Sequence, residues 1–71
     1  MYSLLVIEVF EDYIVCKNIS QNFVYIRTND LDIKFEINDV IYHIEHGFCD
    51  VYRNEEMIAG LSQLRNRMFL K

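Results

Sequence analysis

Apolar residues run together or alternate in short segments from Tyr2 to Tyr52, then recur at three- and four-residue steps from Met57 to Phe69. The chain changes rhythm once, near Asn54. Residues 3–10, Ser-Leu-Leu-Val-Ile-Glu-Val-Phe, are a near-continuous β-prone run, as expected of a strand covered on both faces or central in a curled sheet. Glu11-Asp12 breaks the run and predicts a tight hairpin into residues 13–18. Ser20-Gln21-Asn22 is a second turn cluster, leading into residues 23–27. Three strands in an antiparallel meander are the simplest consequence.

Residues 28–39 keep Leu31, Ile33, Phe35 and Ile37 at even spacing but lose clean alternation. They predict an irregular crossing loop whose apolar positions cover one end of a barrel. Asn38-Asp39 turns the chain into a fourth strand at 40–44. Glu45-His46-Gly47 leads into a fifth at 48–52, with Gly47 supplying the positive φ the hairpin needs. Beyond it, Asn54 has the chemistry of a helix N-cap, and Glu55 and Glu56 suit a first helical turn. Met57, Ile58, Leu61, Leu64, Met68 and Phe69 then draw one apolar stripe. Gly60 costs such a helix about 1 kcal/mol relative to Ala, which close approach to the sheet would explain, with plain neutrality as the bland alternative. The pattern predicts a mainly β fold with one C-terminal α-helix. It would be a five-stranded antiparallel SH3-like or OB-like barrel over about residues 2–53, capped by a helix over about 54–70, in a single domain spanning 1–71.

Seventy-one residues lie near the lower end of what one core holds together without staples. With 52% apolar and 14% aromatic residues, the chain has enough for a core and some left over for a partner. The two cysteines, Cys16 and Cys49, sit in apolar segments and fit small buried hydrophobes in a reducing cytoplasm; whether they are neighbours stays open. The apolar start, Met1 to Ile7, has no basic leader and is interrupted by Glu8, so it reads as a strand rather than a signal peptide or membrane span. Charge is split along the chain. Residues 1–52 hold three basic side chains (Lys17, Arg27, Lys34) against nine acidic ones, and residues 53–71 hold four (Arg53, Arg65, Arg67, Lys71) against two. An acidic β part repels phosphate backbones and argues against general nucleic-acid binding. The basic end fits cations complementing a helix dipole, or a contact with an anion, an acidic chain or a second copy.

Candidate chemistry is sparse. His43, His46 and Cys49 have a spacing reminiscent of a zinc site, but residues three apart on a strand point to opposite faces and no fourth ligand is evident. They are weak candidates, and no metal or other cofactor is expected. An acidic, apolar neighbourhood makes either thiol inert. The carboxylates fall into no calcium-loop spacing, and two glycines thirteen residues apart cannot form a phosphate loop. Tyr13, Phe23, Tyr25, Tyr42 and Tyr52 could form a stacking platform for single strands. Only Lys17, Arg27 and Lys34 interleave them, and packing explains most of the rings.

In order along the chain, Val6-Ile7-Glu8-Val9-Phe10-Glu11-Asp12-Tyr13-Ile14-Val15 resembles the opening of an uncharacterised family of small bacterial proteins. That family begins V-I-D-R-F-E and passes through a turn into an A-V-x-E strand. Leu31-Asp32-Ile33, Asn38-Asp39-Val40-Ile41 and the Leu61, Leu64, Met68-Phe69 series are similar to its L-P, G-D-V-L and I-x-x-L-x-x-x-L-F segments. Val9 stands where the family has Arg, Asp32 where it has proline and Asn38 where it has glycine, and the Thr and Arg pair early in the helix is absent. The resemblance implies a small barrel plus helix. It carries no assigned activity onto any residue. Association of family members with metallo-hydrolases linked to DNA uptake implies a partner role.

The expected function is therefore a non-enzymatic protein-interaction module of a bacterial cytoplasm, with Tyr25, Arg27, Lys34, Arg65 and Arg67 as its partner surface. The partner is an unidentified protein or a second copy of the chain. Nucleic-acid or nucleotide binding through the same residues is the alternative, and a zinc-dependent role is a third class.

Overall fold

A computed structural model describes residues 2–43, 48–62 and 64–69. Its strands are β1 (Tyr2–Val9), β2 (Tyr13–Asn18), β3 (Phe23–Arg27), β4 (Val40–His43), β5 (Cys49–Arg53), β6 (Glu56–Leu61) and β7 (Met68–Phe69), with a 3₁₀ turn at Leu64–Arg67 before the last. All pairings are antiparallel, in one sheet ordered β6-β5-β4-β1-β2-β3-β7. Consecutive strands pair as hairpins with two exceptions: residues 28–39 cross from β3 so that β4 can lie beside β1, and after β6 the chain returns to the opposite edge, where β7 pairs with β3.

The five expected strands are present with nearly the expected bounds, but the described residues form neither the closed barrel nor the C-terminal α-helix. The sheet is open, with β6 and β7 as its edges. The correction hinges on Asn54 and Glu55. Both adopt positive φ, 51° and 67°, and Arg53 pairs directly with Glu56, so they form the two-residue turn of a hairpin rather than a helix start. An isolated helix of this length is marginal in water, whereas residues 56–61 gain a full ladder of backbone bonds along β5. The apolar stripe is consequently divided: Leu64 is fully buried, Leu61 and Met68 pack against the core, and Met57 and Ile58 are exposed on the edge strand. The helix-dipole explanation of the basic end falls with the helix.

The core lies on one face of the sheet. Leu4, Val6, Ile14, Cys16, Ile26, Ile41, Cys49 and Val51 alternate inward from five strands, and Leu64 and Phe35 close over them. Leu31 and Ile33 join from the crossing loop as their spacing suggests, while Ile37 is exposed. The thiols are both buried and unbridged, on strands separated by β4 and β1. Two bulges bend the sheet, at Ile7 in β1 and at Ile58 in β6.

A polar staple ties the crossing loop to the sheet. The Val6 N–H donates to the Asp39 carbonyl and the Asn38 N–H to the Val6 carbonyl, each at 2.8 Å. The Asp39 side chain is buried, yet its carboxylate is fully engaged. It accepts from Arg53 Nε and Nη2, each at 2.9 Å, and from the Glu36 N–H at 2.8 Å. Arg53 Nη2 also donates to the Lys34 carbonyl, and Nη1 lies 2.9 Å from Glu36 Oε2. Burial pushes the Asp39 carboxyl up. The hydrogen bonds from Arg53 and the Glu36 N–H, with the Arg53 charge, outweigh it and hold the group below its ordinary value.

Among the described residues, no helix is long and apolar enough to cross a membrane.

Candidate binding surfaces on the outer face

Residues directly opposed in antiparallel strands share a face, so the pairing register gives the outer surface of the sheet. One row crosses six strands: Met57, Tyr52, Val40, Leu5, Lys17 and Phe23. Met57 is 55% exposed, Phe23 54% and Leu5 40%. Lys17 does not interrupt the row, because its aliphatic stem continues it while Nζ sits 5.9 Å from the centre of the Phe23 ring.

Towards β7 the outer face is filled by rings. Tyr13 stacks on Phe10 with centroids 4.8 Å apart, and Tyr13, Tyr25 and Phe69 meet pairwise at 5.7 to 6.3 Å. The Arg27 guanidinium lies 5.0 Å from the Phe69 centroid. Arg67 makes a two-pronged ion pair with Asp30; hydrogen bonding from Arg67 holds that carboxyl below its ordinary value, against a smaller upward push from desolvation. Tyr25, Arg27 and Arg67 therefore lie in one neighbourhood, with Asn29, Asp30 and Asn66 around a shallow hollow between the two arginines.

Lys34 is elsewhere, in the crossing loop beside Val9 and Phe10. The side chain of Arg65 lies outside the described residues. So do His46 and the side chain of His43; Cys49, the third member of the weak metal set, faces the core, where burial and the nearby Asp50 charge raise its thiol. Burial alone pushes the Cys16 thiol up to about 12. Among the described residues no group of three His, Cys, Asp or Glu side chains is placed to hold a metal.

The chain matches no protein-family model, no curated protein and no solved structure.

Towards β6 the outer face is hollow. A cavity of about 720 Å³ lies over β4 and β5, lined by Asn38, Val40, Tyr42, Asp50, Tyr52, Asn54 and Glu55. Tyr42 and Tyr52 meet edge to face, with centroids 5.4 Å apart and planes at 87°. Asp50 pairs across the strands with Tyr42 on one side and Gly60 on the other, so the residue directly opposite it on β6 has no side chain. The turn at Asn54 and Glu55 forms the rim. The tyrosines are visible in the sequence as β-strand aromatics, but the hollow is not. It depends on the β5–β6 hairpin, which a helical reading of residue 54 onward removes.

Proposed function

We propose that this protein is a non-enzymatic interaction module that binds a protein partner through the outer face of its sheet. The observation that carries the reading is the row from Met57 to Phe23. In so small a domain, an unbroken line of exposed and half-exposed apolar side chains across six strands lowers solubility unless something covers it. The row also passes both other features of the face, the ring cluster and the hollow, so one partner can reach all three. The unbridged buried thiols support a reducing cytoplasm as its compartment.

The test compares the wild-type chain with Leu5→Lys and Phe23→Lys, each immobilised and exposed to the same cell extract, beside sedimentation of the free protein. Both variants alter half-exposed or exposed positions, so they should melt close to wild type. A protein or second copy held by wild type and released by both variants is the expected result. Equal retention by all three, or a strict monomer that retains nothing specific, overturns the reading.

Single-stranded nucleic acid on the ring cluster is the second reading, supported by the cation and ring pairs at Arg27 and Lys17. Against it stand Asp12, exposed beside the cluster, and a net charge of −4. A mobility shift at low salt that Arg27→Gln abolishes would favour it, and no shift under those conditions removes it.

A further inference from the structure

We infer that the hollow over β4 and β5 receives a cationic side chain, a lysine or arginine carried on an extended segment of the partner protein. The inference rests on the interaction-module reading and adds the chemistry of what is recognised. Its walls supply what a long basic side chain needs. Val40 and the two tyrosine rings offer apolar and π surface for an alkyl stem and its charged head, and Asp50 and Glu55 provide negative charge at two sides of the opening.

Among the described residues, no basic side chain lines the cavity. Arg53, the nearest in sequence, is turned away and held by Asp39, Glu36 and the Lys34 carbonyl. Among the described residues, neither Asp50 nor Glu55 forms an ion pair. The charge in the hollow is thus left for an outside cation. Among the described residues, the basic side chains Lys17 and Arg27 of the outer face are on the opposite wing and laid over rings.

The local backbone fits the same assignment. Glu55 occupies the second position of a tight turn at φ 67°, where glycine is the least strained residue, yet the position carries a carboxylate that reaches the rim of the cavity. Gly60 lies opposite Asp50, and a Cβ there would meet Met57 Cε at 3.6 Å and Asp50 Oδ1 at 3.8 Å. Glycine at 60 therefore adds no side chain of its own to the edge side of that carboxylate, where the end of the Met57 side chain lies. A segment approaching along the β6 edge meets Met57 first and the acidic hollow next.

Heteronuclear NMR titration of the full chain with three capped pentapeptides tests the proposal: an alanine-flanked arginine, the same with lysine, and the same with norleucine. The arginine and lysine peptides should shift amides of Val40, Tyr42, Asp50, Tyr52 and Glu55, and binding should weaken as salt rises from about 50 to about 500 mM. The norleucine peptide should leave them in place. Asp50→Asn combined with Glu55→Gln should reduce affinity about fivefold or more, and Tyr52→Leu about threefold, without loss of fold. Equal shifts from the norleucine peptide, or shifts confined to Tyr13, Tyr25 and Phe69, overturn the assignment. The module reading fails separately, through the Leu5 and Phe23 variants. A partner released by those variants yet retained by the Asp50/Glu55 pair would leave the face a docking surface and overturn only the cationic pocket.

Discussion

The two wings of the sheet, β2–β3–β7 on one side of β1 and its β4 neighbour and β5–β6 on the other, use tyrosine in opposite ways. On the first, Tyr13 and Tyr25 have Phe10 and Phe69 as neighbours, so rings fill the face and two cations settle over them. On the second, Tyr42 faces Asp50, which has only Gly60 beyond it, while Tyr52 sits between Val40 and Met57, and the face stays open. The same side chain on the same surface of the same sheet becomes packing or a binding wall according to the residue one strand away. On the first wing the cations Lys17 and Arg27 lie over rings; on the second the cavity is walled by acidic side chains.

Both wings rest on one core, so the change that should erase the difference between them is the largest. Leu64→Asp places an unpaired charge at a fully buried position beneath the sheet and should cost about 4 kcal/mol, read as loss of cooperative thermal unfolding. An unchanged melting temperature would mean that Leu64 is not in the core.

Asp39→Ala separates the wings more selectively. It removes the acceptor that ties Arg53 on the open wing to the crossing loop, and it should cost about 2 kcal/mol in chemical denaturation. It should also change the acid limb of stability. The Asp39 carboxyl is held below its ordinary 3.8, so the unfolded chain takes up the proton first. Its contribution is complete above that value and is lost as pH falls through the lower folded one. In the variant this part of the acid dependence should vanish, leaving the weaker, salt-screened contribution of Asp30 with Arg67, which has the same sign.

Glu55→Gly sharpens the comparison from the other direction. Relieving a left-handed conformation should raise stability by about 1 kcal/mol while weakening arginine-peptide binding, so stability and affinity move in opposite senses. Smallest is Gly60→Ala. Only ordinary contacts await a Cβ, at 3.6 and 3.8 Å, so the melting temperature should rise slightly, for about 0.5 kcal/mol. A drop would show that the edge strand is more tightly covered than its exposure indicates.

Much of the sheet is legible in the amino-acid sequence. Alternation and turn residues locate β1 to β5, and period two alone puts Tyr25 and Arg27 on one face of β3. The last third misleads for a specific reason. Met57, Ile58, Leu61, Leu64 and Met68 satisfy a helical period, but Met57, Ala59 and Leu61 equally fit a bulged strand. The deciding fact is the φ of Asn54 and Glu55. Glutamate at a left-handed turn position has no propensity signature, whereas Asn54 is equally at home in a cap and in a turn. Gly60 does not mark a close helix-to-sheet approach; it sits on an exposed edge with room beside it. Asp39 has the sequence character of a turn residue like Asn38, but its burial depends on Arg53, fourteen positions away, and such pairings leave no local trace. The cluster at Tyr25 and Arg27 gains Phe69 and Arg67 only because β7 folds back along β3.

The placement of β1 has a consequence for the order in which the molecule assembles. β1 leaves the ribosome before the six other strands described, ends up in the middle of the sheet, and meets its partners at different times. β2 and β3 follow within a few residues and can zip onto it at once, whereas β4 must wait for the whole crossing loop. During synthesis the β4-side backbone of β1 is therefore an unprotected template, and the arrival of Asp39 and Val40 is the event that closes it.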